Sequence, residues 1–280
     1  MKRKIVILGY PEKPEVAAVA KRLRPHLAKE FDIVAEDLTN DLDLEKVQAD
    51  LAVVIGGDGS ILATVRRMGS RQIPILGLNL GKFGFLAEFH EEDIEDVIAH
   101  LRDGSTVCRQ RTVLHCDLRR GGKVVEKSLA ANDAVVSHTQ VRVIRTRLYI
   151  DDEYIATYVS DGLVVSTPTG STAYSLSSGG PIVEPGIQAF VLTPVCPHTL
   201  SARPLVVSCE KVIEIELDPA SPDASLTIDG QLVYDLEKGD RVRITKSPYY
   251  FQLIELKTRS YFETLREKLN WGGQINNAGD

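Results

Sequence analysis

The stretch Leu51-Ala52-Val53-Val54-Ile55-Gly56-Gly57-Asp58-Gly59-Ser60 decides how this chain folds at its functional end. Five apolar residues typical of a buried strand run into a glycine-rich turn, and the apolar spacing from Ile61 to Met68 then predicts a helix. Glycines let backbone N–H groups approach an anion, and a helix N-terminus carries partial positive charge. The sequence therefore predicts a phosphate-binding loop formed by Gly56, Gly57, Gly59 and Ser60.

The carboxylate in this turn is its unusual feature. Asp58 cannot attract phosphate directly, so it should hold a metal ion, take a proton from a hydroxyl group, or do both. The alternative is a plain turn between a strand and a helix, since Gly and Asp are common turn residues. The sequence lacks a Gly-x-x-x-x-Gly-Lys-Ser/Thr loop, and no Gly-x-Gly-x-x-Gly fingerprint follows the first predicted strand, which argues against those two nucleotide-binding folds.

Composition sets the broad class. The chain has 280 residues, of which 43% are hydrophobic and 26% charged, as in an ordinary globular protein of one large or two modest domains. A net charge of −6 disfavours nucleic acid as the main partner. Four cysteines without a Cys-x-x-Cys pair predict reduced thiols and a cytoplasmic protein. We expect no signal peptide and no membrane-spanning segment.

Strands and helices alternate over the first hundred residues. Apolar runs predict buried strands, and spacings of three and four residues predict amphipathic helices. Such alternation favours a parallel sheet covered on both faces. The predicted strands cover residues 4–8, 51–55 and 73–78, and the predicted helices cover residues 14–30 and 91–102.

After about Gly104 the runs shorten and hairpin turns are expected at residues 119–123 and 151–153. This pattern predicts an all-β, sandwich-like second domain, followed by a helix that packs back on the first domain. That helix should place Tyr261, Phe262, Leu265 and Leu269 on one face and end near residues 271–273. We expect an α/β domain at 1–104, joined by helix 258–272, and a β-rich domain at 105–257. The strands predicted late in this domain are 205–208, 211–217, 225–228, 231–235, 241–245 and 250–256.

Two further segments should lie near the Asp58 turn. The loop from Gly77 to Leu86 follows a predicted strand, and ligands of open α/β sheets bind beyond the carboxyl ends of strands. Its Phe83 and Phe85 form either a stacking wall for a base or a hydrophobic lid. The dipeptide Asn132-Asp133 either reads a ribose or a base edge, or is a turn that enters a strand.

Hydroxyl groups are concentrated between Asp161 and Pro181. So many polar side chains would be costly to bury without partners, so we expect them to serve a polar ligand rather than to form a generic Ser/Thr-rich loop. The segment from Pro194 to Leu205 is stiffened by proline, and its His198 is interpreted as structural rather than catalytic.

These segments together resemble the NAD kinase family, whose members use ATP or polyphosphate. The resemblance runs through essentially the whole chain in order. It rests on Gly56–Ser60, Gly77–Leu86, Asn132-Asp133, Thr167–Tyr174, Ser178–Pro181, Cys196–His198 and the end from Tyr261 to Gly272. Asp133 stands where the family usually has Glu.

The resemblance implies an N-terminal α/β domain, a C-terminal β-rich domain, and transfer of the ATP γ-phosphate to the 2′-hydroxyl of the adenosine ribose of NAD, giving NADP. It also implies a divalent metal, usually Mg²⁺, and a homodimer or homotetramer. Asp58 would accept the proton of the 2′-hydroxyl. The residues implied to bind NAD are Asp58, Gly59, Phe85, Asn132, Asp133, Asp161, Thr172, Ala173, Tyr174, Ser175, Leu176, Ser177 and Gln231.

Two other functions stay open at this point. A lipid kinase can share the Gly-Gly-Asp-Gly turn, but it would lack the segments around Thr167–Tyr174 and Cys196–Ser201 together. A non-catalytic NAD(H) sensor could keep the pocket, although a sensor has no need of a base at Asp58. The sequence leaves the phosphate donor and the choice between NAD and NADH undecided.

Overall fold

A computed structural model describes residues 2–11, 15–81, 84–140 and 142–271. A parallel sheet forms the N-terminal half, with β1 between β2 and β3, β4 beside β3, and β5 beside β4. The predicted strands 4–8, 51–55 and 73–78 are confirmed as β1, β3 and β4. The bounds of the five strands are Lys4–Gly9, Asp32–Asp37, Leu51–Ile55, Ile75–Asn79 and Phe89–His90.

Helices cover both faces of this sheet, as its apolar strands require. Helices α1 (Glu15–Glu30) and α3 (Ile94–Asp103) pack on one face, together with Ile5 and Ile7 of β1. Helix α2 (Asp58–Met68) packs on the other face, to which β1 turns its alternate residues. The prediction of a parallel sheet buried on both faces is therefore confirmed.

The predicted helices 14–30 and 91–102 correspond to α1 and α3. Pro14, the first residue of the predicted helix 14–30, lies outside the described residues, and α1 is helical from Glu15. The predicted helix 91–102 begins as a 3₁₀ turn at Glu91–Asp93 and continues as α3. This tighter turn is capped because the carboxylate of Asp93 accepts a 2.9 Å hydrogen bond from the backbone N–H of His90.

The C-terminal half is an antiparallel β sandwich, as predicted. A six-stranded sheet in the order β13-β12-β11-β8-β15-β16 faces the antiparallel part of the second sheet, and one apolar core lies between them. The strands β6 to β17 are, in order, Thr106–Arg120, Lys123–Ala130, Asp133–His138, Ile144–Ile150, Glu153–Ser160, Gly162–Ser166, Ala189–Val195, Leu205–Ser208, Ile213–Leu217, Ala224–Ile228, Leu232–Leu236 and Arg241–Leu256.

One sheet runs through both halves of the molecule, which the sequence did not predict. The strands expected at 241–245 and 250–256 are a single strand, β17, with an irregular register between Lys246 and Tyr250. Pro248, which cannot donate a hydrogen bond to a neighbouring strand, lies in that irregular segment. Near its end β17 pairs in parallel with β4 through Leu253 and Ile75. The boundaries expected at residues 104 and 257 therefore stay a prediction.

The final helix, α5, covers Tyr261–Leu269, so the predicted helix is confirmed. Ser260 caps it, because its hydroxyl accepts a 3.2 Å hydrogen bond from Glu263 N–H while the Glu263 carboxylate accepts one of 2.8 Å from Ser260 N–H. Leu265 is buried as expected, but the side chain of Phe262 is 57% exposed. Residues 272 and 273, where the helix was expected to end, lie outside the described residues. Among the residues that the structure describes, no helix is long and apolar enough to span a membrane.

Candidate active site

The turn between β3 and α2 holds its shape through its outer residues. Gly56 has φ of 153°, and a Cβ there would lie 2.1 Å from Ser60 Oγ, so glycine is needed. Gly56 N–H donates to the carbonyl of Leu78 at 2.8 Å, and Ser60 N–H donates to Gly57 at 2.9 Å. The first turn of an α-helix leaves N–H groups without intrahelical acceptors, and Asp58 and Gly59 occupy that turn. These are the positions best suited to meet a phosphate oxygen.

The carboxylate of Asp58 is fixed by backbone amides of the loop after β4. Oδ2 accepts a 2.8 Å hydrogen bond from Phe85 N–H, and Oδ1 accepts 3.0 Å bonds from Leu86 and Ala87. A Cβ on Gly84 would lie only 1.8 Å from Oδ1, so the loop can approach this closely only with glycine there. A carboxylate offers about four lone-pair positions. Three are used here, which leaves one position that could accept a further hydrogen bond.

Residues 84–87, which follow β4, thus lie against the Asp58 turn, as their place after that strand predicted. Phe85 is half-buried, and its backbone N–H is one of the three donors to Asp58. Whether its ring forms a stacking wall stays a prediction. Phe83 lies outside the described residues.

A pocket of about 320 Å³ opens on the outer face of the six-stranded sheet. Alternation along β8 puts Asp133, Val135 and Ser137 in this pocket and Ala134 and Val136 in the apolar core. The volume is within the usual range of small-molecule sites. The remaining lining residues are Asn132, Ala173, Tyr174, Thr227, Asp229 and Gly230. The structure therefore brings Asn132, Asp133, Ala173 and Tyr174 together in one pocket, and their contact with NAD stays a prediction.

Part of the hydroxyl-rich segment is bonded within the protein, while the buried hydroxyl oxygens of Ser166, Thr169 and Ser178 have no partner among the described residues. The buried Ser175 hydroxyl lies 2.9 Å from Thr193 Oγ1, and Thr172 Oγ1 donates to the carbonyl of Thr169 at 3.1 Å. Leu176 is half-buried and Ser177 is exposed, and neither lines the pocket. Tyr174 does line it and is 47% exposed. Several of these hydroxyls therefore shape the loop, and their contact with a ligand stays a prediction.

Gly170 lets this loop pack directly on the pocket wall. Thr167 N–H donates to the carbonyl of Asn132 at 2.8 Å, and Thr167 Oγ1 donates to that of Ala131 at 2.6 Å. A Cβ on Gly170 would lie 2.1 Å from Asn132 O and 2.6 Å from its Cα. Those atoms belong to the backbone and cannot rotate away, so the wall that carries Asn132 depends on glycine at this position.

We expect the substitution Gly170→Ala to lower the free energy of unfolding by about 1–3 kcal/mol, because a methyl group forced into a packed site displaces backbone. The displaced residue is Asn132, so ligand affinity in the pocket should fall as well. Urea unfolding measures the first effect, and titration with NAD, the ligand that the sequence resemblance implies, measures the second. Gly186→Ala is the control for added side-chain bulk, since the nearest atom to a Cβ there, Oε1 of Glu184, lies 3.8 Å away. A Gly170→Ala protein with unchanged stability and affinity would contradict the packing argument.

Asp161 lies at the edge of this region, between β10 and β11. Its carboxylate is 3.8 Å from Nε2 of His138, and its carbonyl accepts a 3.1 Å hydrogen bond from His138 N–H. The following residue, Gly162, pairs with Ser137 of the pocket. Asp161 is therefore one strand away from the lining, and its predicted contact with NAD stays a prediction.

Two buried carboxylates give the pocket its electrostatic character. Asp133 is only 4% exposed, and burial, together with the neighbouring charge of Asp229, raises the pKa of Asp133 to about 7. Burial also raises the pKa of Asp229, while Arg66 and the amides of Asn132 and Ala131 oppose that shift. Asp133 therefore changes its protonation near neutral pH, which the sequence did not reveal.

This shift predicts a pH-dependent stability. A carboxyl group whose pKa is higher in the folded chain stabilises the fold below its usual pKa, and that contribution is lost as pH rises through the folded value. Here the window runs from 3.8 to about 7. The free energy of unfolding of the wild type relative to Asp133→Asn should fall by up to about 1.4 kcal/mol per pH unit across it. Urea unfolding of both proteins from pH 4 to pH 8 tests this, and parallel curves would contradict it.

Sequence reasoning missed Arg66 and Asp229, which join the turn to the pocket. Arg66 of α2 makes a 2.6 Å ion pair with Asp229, and their side chains are 10% and 0% exposed. Gln231, predicted to contact NAD, donates from Nε2 to the carbonyl of Gly59 at 2.9 Å. The sequence contains no local signal for this pair, since Arg66 lies eight residues after Asp58 and is turned about 80° from it around the helix axis.

No ready-made metal centre is formed by the described residues. Among them, no three side chains of His, Cys, Asp or Glu converge in a way that could hold an ion. All four cysteines carry free thiols, as the sequence predicted.

Comparisons with known proteins agree with this geometry. The ATP-NAD kinase N-terminal domain model matches residues 10–106, and the ATP-NAD kinase C-terminal domain model matches residues 131–256. The NAD kinase of Rhodopirellula baltica is 38% identical over 273 residues, which are 97% of this chain and 88% of the relative. The NAD kinase of Geotalea daltonii is 38% identical over 284 residues, which are 96% of this chain and 99% of the relative.

Solved structures give the same result. Yeast NADH kinase, solved in complex with NADH, matches with a TM-score of 0.88 and 25% identity over 99% of this chain and 90% of its own. An NAD kinase from Archaeoglobus fulgidus, solved in complex with ATP, matches with a TM-score of 0.74 and 27% identity over 95% of this chain and 98% of its own. With family models, relatives and structures in agreement over both halves of the molecule, the chain belongs to the NAD kinase family of enzymes.

Proposed function

We propose that this enzyme transfers the γ-phosphate of ATP, or the terminal phosphate of polyphosphate, to the 2′-hydroxyl of the adenosine ribose of NAD, forming NADP. The observation that carries the proposal is the Asp58 carboxylate, which three backbone amides hold in place at the start of α2 with one acceptor position left. Gln231 links this turn to the pocket that contains Asn132 and Asp133.

Phosphoryl transfer depends mainly on positioning and charge neutralisation. The proposed base, Asp58, takes the proton of the ribose hydroxyl as its oxygen bonds to the terminal phosphorus. The bond from that phosphorus to the bridging oxygen breaks, and ADP, or polyphosphate shortened by one unit, leaves. The first-turn amides of α2 lie where they can bind phosphate oxygens of the donor. General-base assistance of this kind accelerates a reaction by about 10²–10⁴-fold. The loop 85–87 serves the reaction by keeping the carboxylate in one orientation.

The pocket is proposed to bind part of NAD through Asn132, Asp133, Ala173 and Tyr174, with Asp161 close by. Amide and carboxylate groups such as those of Asn132 and Asp133 can hydrogen-bond ribose hydroxyls or a base edge. Support comes from the relatives, since the yeast enzyme was solved with NADH and the archaeal one with ATP. The choice between NAD and NADH is left to experiment.

We propose that Mg²⁺ binds together with the phosphates of the donor, where it would neutralise their charge. Three acceptor positions of Asp58 are already used, and the fourth is assigned to the proton of the ribose hydroxyl, so Asp58 is not proposed as a ligand of this ion. We further propose a cytoplasmic homodimer or homotetramer, built from an α/β domain at 1–104 joined by helix 258–272 and a β-rich domain at 105–257.

The test is NADP formation by the purified protein with Mg²⁺, NAD or NADH, and either ATP or polyphosphate. NADP is measured with an NADP-specific dehydrogenase, and the donor comparison decides specificity. We expect NADP from NAD. A folded protein that binds NAD but yields no phosphorylated product with either donor would overturn the proposal in favour of a non-catalytic sensor. Phosphorylation of a lipid alcohol alone would favour the lipid kinase.

A further inference from the structure

Three side chains connect the two halves of the site, and we refer to Arg66, Asp229 and Gln231 as the interdomain bridge. Arg66 lies eight residues after Asp58, about 12 Å further along the helix axis. One end of its guanidinium makes the 2.6 Å ion pair with Asp229, and the other donates to Oε1 of Gln231. Arg66 therefore binds two residues of the turn between β15 and β16 at the same time.

The partner carboxylate of Arg66 organises the pocket wall. Asp229 Oδ1 accepts hydrogen bonds from Asn132 N–H at 2.8 Å and from Asp133 N–H at 3.2 Å, and its Oδ2 accepts one from Ala131 N–H at 3.2 Å. Asp229 N–H in turn donates to the carbonyl of Asp133 at 2.9 Å. The backbone of the pocket wall is thus built around a carboxylate that Arg66 neutralises.

Gln231, the third residue of the interdomain bridge, contacts the N-terminal end of α2. Gln231 donates from Nε2 to the carbonyl of Gly59, next to Asp58. A Cβ on Gly59 would lie 3.1 Å from that nitrogen, so the amide fits closely against the turn. Because both ends of the Gln231 amide are bonded within the protein, its position depends on Arg66 as much as on any ligand.

We infer that Arg66 is a positioning residue for the reaction, which through Asp229 and Gln231 fixes the distance between the carboxylate of Asp58 and the pocket wall at Asn132 and Asp133. The inference rests on the proposed function, since it assigns the ribose hydroxyl to one half of the site and the rest of the dinucleotide to the other. A displacement of about 1 Å between reacting groups can lower a rate by about 10²-fold. Such a residue acts on turnover without touching the substrate.

The chain offers a matched control in the next residue. Arg67 also makes a largely buried ion pair, with Asp37, and its side chain is 21% exposed. Its other bonds go to Asn40 and to the carbonyl of Leu42, all within the α/β half. Arg67→Gln should therefore destabilise the fold much as Arg66→Gln does, without moving the two halves of the site relative to each other.

The experiment compares kcat and KM for NAD, together with thermal unfolding, in the wild type, Arg66→Gln and Arg67→Gln. We expect kcat/KM for NAD to fall about 100-fold in Arg66→Gln and to stay within about threefold of the wild type in Arg67→Gln, for comparable losses of Tm. Equal kinetic losses in both variants, or none in Arg66→Gln, would reduce Arg66 to a structural role and overturn the inference.

Arg66→Lys separates charge from geometry and covers the case in which Arg66→Gln does not fold. Lysine keeps a cation beside Asp229 but lacks the planar fork that also reaches Gln231. We expect this variant to fold and to show a partial loss, about tenfold in kcat/KM for NAD. Wild-type kinetics in Arg66→Lys, with Arg66→Gln unfolded, would overturn the inference. A wild type that forms no NADP would instead overturn the proposed function, so the two failures are distinguishable.

Discussion

Asp58→Asn is expected to lower kcat for NADP formation by about 10²–10⁴-fold while the chain still folds. An amide cannot take the proton of the ribose hydroxyl. It can still accept from the amides of Leu86 and Ala87 through its remaining oxygen, where Asp58 Oδ1 accepts them at 3.0 Å. Its –NH₂ group would face the N–H of Phe85, which leaves one donor unpaired at a cost of about 1–3 kcal/mol of stability.

Initial rates at saturating NAD and donor measure this effect. Circular dichroism and NAD titration of the same variant serve as controls, since the pocket residues are unchanged and affinity should stay within a few-fold. A kcat within about threefold of the wild type, well short of the loss that removal of a general base produces, would contradict the assigned role.

Asp229→Ala is expected to have the largest effect on stability, a loss of about 3–5 kcal/mol in the free energy of unfolding. The substitution leaves the guanidinium of Arg66, only 10% exposed, without its carboxylate. It also removes the acceptor of three successive backbone N–H groups, from Ala131 to Asp133. Unpaired buried polar groups are costly because the water that would satisfy them is excluded.

Urea unfolding at pH 7 measures this loss. Glu36→Ala is the matched control, since Glu36 pairs with Arg24 at 2.6 Å on the surface, where the two side chains are 30% and 57% exposed. An exposed pair of this kind contributes about 0–1 kcal/mol. The double variant Arg66→Met/Asp229→Ala should recover part of the loss, because it removes both buried charges. If Asp229→Ala lowers the free energy of unfolding by less than about 1 kcal/mol, the stabilising role assigned to the interdomain bridge would be contradicted.

The parts of the structure that the sequence predicted are set by neighbouring residues. The strand, glycine turn and helix around Asp58 follow from a five-residue apolar run, two adjacent glycines and helical spacing. The alternation along β8, which puts Asp133 in the pocket and Ala134 in the core, is likewise local. The sequence did not predict β2, because as an edge strand it alternates exposed and half-buried residues instead of forming an apolar run.

The parts that the sequence did not predict depend on residues far apart in the chain. The amides that fix Asp58 come from residues 85–87, and the ion pair between Arg66 and Asp229 joins positions 163 residues apart. The spacing of apolar residues along the chain predicts helices and strands, but it gives no information on such long-range contacts. The hydroxyls from Asp161 to Pro181 pointed to a ligand, yet in the folded chain Thr172 and Ser175 bond other protein groups. The composition of the segment shows that its hydroxyls need hydrogen-bond partners, but it does not show whether those partners are a ligand or other groups of the protein.

The central claim is that the phosphoryl group reaches the 2′-hydroxyl of the adenosine ribose with Asp58 as the base. The most direct measurement is ³¹P NMR of the product formed from NAD and the preferred donor by the wild type and by Asp58→Asn. The account predicts one new phosphomonoester at the 2′ position, formed by the wild type and nearly absent with the variant. A phosphate at another position, or equal amounts of the 2′ product from both proteins, would contradict it.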